Sequence, residues 1–369
     1  MKKIVISSNS SWNIINFRLG LATYLKNLGY EIIILAPRDE YSSQIELSGL
    51  EYIELPISAR SLNAVSDTIT FFTYFKILAH LKPDYYLGFT IKPNIWGGIA
   101  ARILKINRIL NIAGLGKAFE KEGLLNILVK FLYTLSLSGA KKIFFQNHDD
   151  LKHFELIGLI KNLDAEVLAG SGVDLKKFHF SHTTKESGKF NFLFMGRLLY
   201  SKGVKDLIEA SHLLNKKFKN FHVYIYGIIQ NSNDPDAISI EYLSSLEQYS
   251  YITFEGSTDH PNLQIMKSHC VVLPSYYNEG TPKILLESCA MGKPIITTDW
   301  KGCRDVVETS KNGYLCDIKS PESLMMQMAK MLKLSEQNFQ NLSKNSRVIA
   351  EKRYNQDRIF NTYKKALQY

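Results

Sequence analysis

The chain is 369 residues long, with 45% apolar and 22% charged residues and a net charge of +10. That length accommodates two ordinary domains, each with its own core, and the composition excludes a disordered chain. No apolar run approaches the about 18 residues of a membrane-spanning helix, and the stretch after Lys2-Lys3 is too short for a signal peptide, so a cytoplasmic protein is expected.

The chain opens with a strand, Lys3 to Ser7, a polar loop from Ser8 to Asn16 and a helical pattern from Phe17 to Leu28. Glu31 to Pro37 is a continuous apolar run closed by a turn, as a parallel strand covered on both faces requires. The alternation goes on through a strand at Tyr52–Leu55, a helix over 67–81, a strand at Tyr85–Gly88, a helix over 95–104 and a strand at Arg108–Ile112. Lys142–Gln146 reads as the last strand of this half. After a polar, linker-like stretch from Phe178 to Lys189 the pattern restarts. Strands are predicted at Phe190–Gly196, His222–Gly227, Tyr251–Phe254, Cys270–Pro274 and Pro294–Thr298, with a helix over 204–214 and a helical tail from Ser320. Such repetition predicts α/β architecture with two Rossmann-like, doubly wound parallel-sheet domains. Cys270, Cys289, Cys303 and Cys316 form no CxxC pair and stand beside no histidine cluster, so they read as reduced thiols.

One element carries the chemistry most directly. In Asn278-Glu279-Gly280-Thr281-Pro282-Lys283-Ile284-Leu285-Leu286-Glu287, Thr281 and Pro282 read as the N-cap and first-turn proline of a helix that Gly292 and Pro294 end. Glu279 then lies ahead of the helix and Glu287 about six residues in, roughly 9 Å along its axis. The free N–H groups and dipole between them suit a phosphate, and the carboxylates suit sugar hydroxyls. Two solvated surface charges would show the same spacing. A second element, Gly196-Arg197-Leu198-Leu199-Tyr200-Ser201-Lys202-Gly203, joins a strand to a helix. It sets Arg197 and Lys202 at the C-terminal mouth of the second sheet, where two cations around a glycine turn can grip a diphosphate or simply face solvent.

The excess charge is concentrated. Between Lys76 and Lys142 eleven Lys and Arg face Asp84, Glu120 and Glu122, a net +8. Within that stretch the apolar Leu124 to Tyr133 is ringed by Lys117, Lys121, Lys130, Lys141 and Lys142. It reads either as a core helix with a solvated basic face or as an amphipathic segment lying on an anionic bilayer.

Gly196-Arg197-Leu198 with Lys202-Gly203, Glu255-Gly256-Ser257, Leu273-Pro274-Ser275, Glu279-Gly280-Thr281-Pro282 with Glu287, Gly292-Lys293-Pro294-Ile295, Gly302-Cys303-Arg304-Asp305 and Asn312-Gly313 together resemble a family 4 retaining glycosyltransferase. That family has the GT-B architecture, two domains facing a cleft. The resemblance implies an N-terminal acceptor-binding domain over 1–177, a C-terminal nucleotide-sugar domain over 178–352 and a final helix, 353–369, packing back on the first. It implies that Gly196, Arg197 and Lys202 hold the donor diphosphate, that Glu287 holds the ribose hydroxyls, and that Glu279 with Gly280, Thr281 and Lys283 holds the transferred sugar and its phosphates. Ser257 would lie near the base. Arg197, Lys202 and Glu279 would be the catalytic groups.

Asn16-Phe17-Arg18, Arg60-Ser61-Leu62-Asn63, Thr90 to Gly98 and Gly114-Leu115-Gly116 resemble the subgroup that builds capsule and O-antigen units on polyprenyl diphosphate. This implies acceptor contacts at Arg18, Arg60, Lys92 and Asn94. The partners this resemblance implies are a nucleotide sugar, UDP-linked as the subgroup suggests, a polyprenyl-diphosphate-linked saccharide and an anionic membrane surface on the cytoplasmic face of the bacterial inner membrane, with no nucleic acid. Two departures stand out: Ala113 replaces a histidine common in the family, and Ser8-Asn9-Ser10-Ser11 replaces the paired glycines after the first strand. No DxD-like metal pair stands in a suitable loop, so no metal and no cofactor are expected. A sugar-nucleotide epimerase of the same architecture is the alternative.

Overall fold

The computed structural model describes residues 1–57, 64–116, 119, 123–185, 188–229 and 234–368, which fall into two units, Met1–Ser171 with Asp357–Tyr369 and Gly172–Gln356. The first runs β1 (Lys3–Ser7), α1 (Ser11–Asn13), a π-helical turn Ile14–Arg18, α2 (Leu19–Asn27), β2 (Glu31–Ala36), α3 (Ser42–Leu47), β3 (Glu51–Glu54) and α4 (Ala64–Leu81). It continues through β4 (Tyr85–Phe89), a π-helical turn Pro93–Gly97, α5 (Gly98–Ile103), β5 (Asn107–Ile112), α6 (Leu124–Leu137), β6 (Lys142–Phe145), α7 (His148–Leu156) and β7 (Ala165–Val167). The strands form a parallel sheet in the order β3-β2-β1-β4-β5-β6-β7.

The apolar runs divide residue by residue between two faces. Val5, Ile33, Leu35, Tyr86, Leu110 and Phe145 pack with Tyr74 of α4, Ala100 of α5, Tyr133 of α6 and Phe154 of α7. Their chain neighbours Ile4, Ile34, Leu87 and Phe144 pack on the opposite side with Leu21 and Leu25 of α2 and Ile45 of α3. A period of two on a sheet covered on both faces leaves no polar face to alternate with, hence the continuous runs. Two expectations are corrected here. The stretch from Ser8 to Asn16 is not a loop: Ser10 accepts from Asn13 N–H and starts α1, and helix continues from Ser11. Lys142–Phe145 is not the last strand, because β7 pairs with it through Ile143 and Ala165.

The second unit holds β8 (Phe190–Met195), a 3-10 turn Tyr200–Lys202, α8 (Val204–Asn215), β9 (Phe221–Tyr226), α9 (Ile240–Ser244), β10 (Ile252–Phe254), α10 (Pro261–Lys267) and β11 (Cys270–Leu273). It ends with α11 (Lys283–Ala290), β12 (Ile295–Thr298), β13 (Gly313–Cys316), α12 (Pro321–Lys333) and α13 (Glu336–Ile349). Its parallel sheet runs β10-β9-β8-β11-β12-β13. All four cysteines are buried and free. In each sheet the chain winds outward in both directions from a central strand pair, β1 with β4 and β8 with β11. The crevice beyond the C-terminal ends of such a pair is where open α/β sheets bind ligands.

The last helix, α14 (Gln356–Gln368), returns from Asp357 on to the first unit. Ile359, Phe360, Tyr363 and Leu367 join the core beneath β1, β4 and β6. The Tyr363 ring lies 4.8 Å from that of Phe144, its hydroxyl accepts from Asn111 Nδ2 at 2.8 Å, and Tyr85 donates to the Leu367 carbonyl at 2.7 Å. Tyr363→Ala is expected to lower the unfolding free energy by about 3–5 kcal/mol and Tyr363→Phe by about 1 kcal/mol, measured by urea denaturation. Equal losses would mean that the hydroxyl rather than the ring anchors the helix.

Candidate functional site

Three of the predicted side chains, Arg197, Lys202 and Glu279, meet at the β8/β11 mouth. Lys202, at the end of the 3-10 turn after β8, is 6% exposed, and its ammonium donates to Glu279 Oε1 in the loop after β11. Ser275 Oγ donates to the same oxygen at 3.3 Å. Arg197 and Lys202 both lie against one ring: the Arg197 Cζ is 4.7 Å and the Lys202 Nζ 5.4 Å from the Tyr277 centroid. Glu279 N–H donates to the Tyr277 carbonyl at 2.9 Å, and Gly302 closes on the same loop, where a Cβ would stand 2.0 Å from the Gly280 carbonyl oxygen. The loop can take this shape only with its backbone packed on a glycine.

α11 starts one residue later than expected. Lys283 is its first residue and Pro282 its N-cap, extended at φ −62° and ψ 124° with no side-chain cap, so Thr281 is not the cap. α11 therefore begins directly after the loop that carries Glu279, and a helix N-terminus with its positive dipole end stands beside that carboxylate. Glu287, the fifth residue, is not a helix-surface charge: it is 5% exposed and lies 3.4 Å from the Lys283 ammonium. Gly196 closes β8 by donating to the Tyr226 carbonyl at 3.1 Å, and Gly227 donates to Gly256 at 2.8 Å, which aligns the tips of β8, β9 and β10. Ser257 follows this tip and is exposed.

At the β1/β4 mouth of the other unit the predicted residues are less alike. Arg18 is 4% exposed, its guanidinium 4.1 Å from the Phe89 centroid. Lys92 pairs with Asp67 at 2.7 Å. Asn94 is fully buried and ties the π-helical turn Pro93–Gly97 to β5 by donating to the Asn111 carbonyl at 2.8 Å. Arg60 lies outside the described residues.

Sequence comparison matches residues 3–147 to the family described as Glycosyl transferase 4-like and residues 176–348 to Glycosyl transferases group 1. The chain belongs to the glycosyltransferases. It is 29% identical, over 93% of each chain, to the N,N'-diacetylbacillosaminyl-diphospho-undecaprenol alpha-1,3-N-acetylgalactosaminyltransferase of Campylobacter jejuni. It is 24% identical to the UDP-Gal:alpha-D-GlcNAc-diphosphoundecaprenol alpha-1,3-galactosyltransferase of Escherichia coli, over 73% of this chain and 72% of that one. Among solved structures, Anabaena Alr3699/HepE in complex with UDP and glucose superposes with a TM-score of 0.81 at 15% identity over 100% of both chains, a likeness of fold.

Some groups of this glycosyltransferase's mouth escaped the sequence reading. Tyr277 and Ser275 sit in the loop just ahead of Glu279, and a tyrosine between two predicted cations and a carboxylate was the available signal. Asp236 gave no signal at all: across 35 residues of chain it accepts Ser201 N–H at 3.0 Å and also the Ser201 hydroxyl, fixing the turn that carries Lys202. Burial raises the Glu287 pKa above the usual carboxylate range, opposed by the nearby Lys283 and Lys177. A pKa raised by folding makes this group's stability contribution greatest at low pH and lost as pH rises through the folded value. If the Glu287 carboxylate accepts hydroxyl hydrogen bonds, ligand binding has the opposite sign: nucleotide-sugar affinity falls as pH drops through the raised pKa. Calorimetric titration should show this step in the wild type and a weaker, pH-independent affinity in Glu287→Gln; parallel pH profiles would remove the assignment.

Proposed function

We propose that the chain transfers a hexose or N-acetylhexosamine, with retention, from a UDP-linked donor to a saccharide carried on undecaprenyl diphosphate, in the synthesis of O-antigen, capsule or a related surface polysaccharide. The observation that carries this reading is the meeting of Arg197, Lys202 and Glu279 at the Tyr277 loop, just ahead of α11, the helix that holds the buried Glu287. The two relatives named for transfer to diphospho-undecaprenol-linked sugars, one of them from a UDP-sugar, support the choice of substrates.

In this reading Glu287 accepts the ribose hydroxyls, and Arg197, Lys202 and the N–H groups of Lys283 and Ile284 meet the diphosphate. Glu279 accepts hydroxyls of the sugar beside the ammonium it already holds. The bond from C1 to the phosphate oxygen breaks as the acceptor hydroxyl oxygen bonds C1 on the same face, and its proton passes to the leaving phosphate. Ala113 offers no base, so the leaving group serves as one. Catalysis then rests on fixed positive charge placed where phosphate charge grows. Arg197→Ala or Lys202→Ala should lower kcat/KM by about two orders of magnitude, roughly 3 kcal/mol, with unchanged Tm for Arg197→Ala and a lower Tm for Lys202→Ala, which leaves Glu279 without its ammonium. The assay is a donor panel against synthetic polyprenyl-diphosphate saccharides, with linkage and anomer read by mass spectrometry and NMR. Epimerised nucleotide sugar released without acceptor, or an EDTA loss reversed by magnesium, would overturn the reading or its metal-free step.

Peripheral membrane association belongs to the same reading. Among the described residues no helix is long and apolar enough to cross a membrane. Yet α6 exposes Leu124, Ile127, Leu128 and Phe131, and α4, against the same face of the first sheet, exposes Val65, Ile69 and Phe72. Those side chains with the basic excess around them suit an anionic bilayer, the apolar ones entering it and the cations staying at the head groups. Ile127→Glu with Phe131→Glu should reduce co-flotation with phosphatidylglycerol vesicles about tenfold while leaving transfer to a short-chain, water-soluble acceptor intact. Flotation unchanged by the substitutions would place the contact elsewhere.

A further inference from the structure

Among the described residues four lysine and arginine side chains are buried: Arg18, Arg108, Lys202 and Lys293. Three have acceptors. Arg108 donates to the Ser138 carbonyl at 2.7 Å, Lys202 to Glu279, and Lys293 to the Met266 carbonyl at 3.0 Å and the Thr183 hydroxyl. Arg18 has none: no hydrogen bond or ion pair with a described residue ends on it, and its Nε is sealed from solvent without a partner. Burial lowers its pKa to about 10, which still leaves it charged at neutral pH. A charged guanidinium taken out of water and given no acceptor is destabilising, and folds retain such a group where a ligand supplies the missing charge.

Its surroundings point the same way. Arg18 ends the π-helical turn after β1, and one face of its guanidinium rests on Phe89, the last residue of β4. Stacking fixes the plane and leaves the N–H edges for an anion. Thr90, directly after Phe89, is β-branched yet held at φ +70°, and its hydroxyl is buried without a partner. Backbone strain and an orphan donor thus stand at the end of the strand on which Arg18 rests, at the crevice between β1 and β4. The donor diphosphate is taken by the other sheet in the reading above. We propose that Arg18 is the anion site of the first unit and that it receives a phosphate of the acceptor's diphosphate. The acceptor's identity rests on the proposed function; the anion site does not.

Two measurements on the full chain separate these. In an Arg197→Ala/Lys202→Ala background, where the other sheet's cations are gone, millimolar inorganic pyrophosphate should raise Tm by about 2 °C, Arg18→Lys should keep part of the shift, and Arg18→Met should abolish it. Without ligand, Arg18→Met should melt no lower than its parent, because it removes an uncompensated buried charge. In the otherwise wild-type chain, Arg18→Met should raise KM for a diphosphate-linked saccharide at least roughly 30-fold while leaving donor KM unchanged, and leave the same saccharide on a neutral alkyl aglycone unaffected. A pyrophosphate shift that survives Arg18→Met, or a large drop in unliganded Tm, overturns the anion site. An equal KM rise for both acceptors overturns the diphosphate assignment. Arg18-dependent pyrophosphate binding with no transfer to any lipid diphosphate sustains the site and sinks the proposed function instead.

Discussion

Lys202 is withdrawn from water at the mouth of the second sheet, and much of the surrounding structure can be traced to holding it there. A buried ammonium needs acceptors at hydrogen-bonding distance, and here the acceptor is a carboxylate, so Glu279 must be delivered from another strand with little freedom. The turn that carries Lys202 is tied by Asp236 on one side and by Tyr276 N–H to the Ser201 carbonyl at 2.8 Å on the other. Gly203 follows at φ +75°, where a Cβ would come 2.1 Å from the Pro274 carbonyl oxygen, so the start of α8 can press against the end of β11. The glycines of the motif are therefore spacing elements for a charge pair, and their value lies in how closely they let two backbones approach.

What the sequence made legible follows from the same economy of burial. Strands covered on both faces have to be apolar throughout, and β1, β2, β4, β8 and β11 announce themselves as runs. β7 did not, because Ala165, Glu166 and Val167 form a half-exposed edge strand of three residues with no room for a pattern. The Ser8–Asn16 stretch looked like a loop because its polar residues are spent inside the turn: Ser8 donates to Asn13 Oδ1 and Ser11 to the Pro37 carbonyl. Composition cannot distinguish hydroxyls that cap and brace a helix from hydroxyls that face solvent. Arg197, Lys202, Glu279 and Glu287 could be singled out as candidates because short motifs carry them, whereas Asp236, supplied by a distant loop, became visible only through the hydrogen bonds that close on Ser201.

The two sheets handle buried charge in opposite ways, and the difference bears on the order of events. At the second mouth, Lys202 with Glu279 and Lys283 with Glu287 are internally matched pairs, whereas Arg197 is stacked on Tyr277 with no ion pair among the described residues. A nucleotide diphosphate entering there need not displace Glu279, since an ammonium has three donors and can hold a carboxylate and a phosphate oxygen together. In the proposed reading Glu279 would be kept beside the sugar by the cation that holds the diphosphate, which would couple sugar orientation to phosphate position. In the proposed reaction, charge accumulates on the phosphate as the bond to the sugar lengthens, and Arg197 is the cation set to meet it without reorganisation. At the first mouth Lys92 is matched with Asp67, but Arg18 has no such partner among the described residues. Arg18 stays uncompensated until an anion arrives, so an acceptor carrying phosphate relieves an existing penalty, and one without it does not.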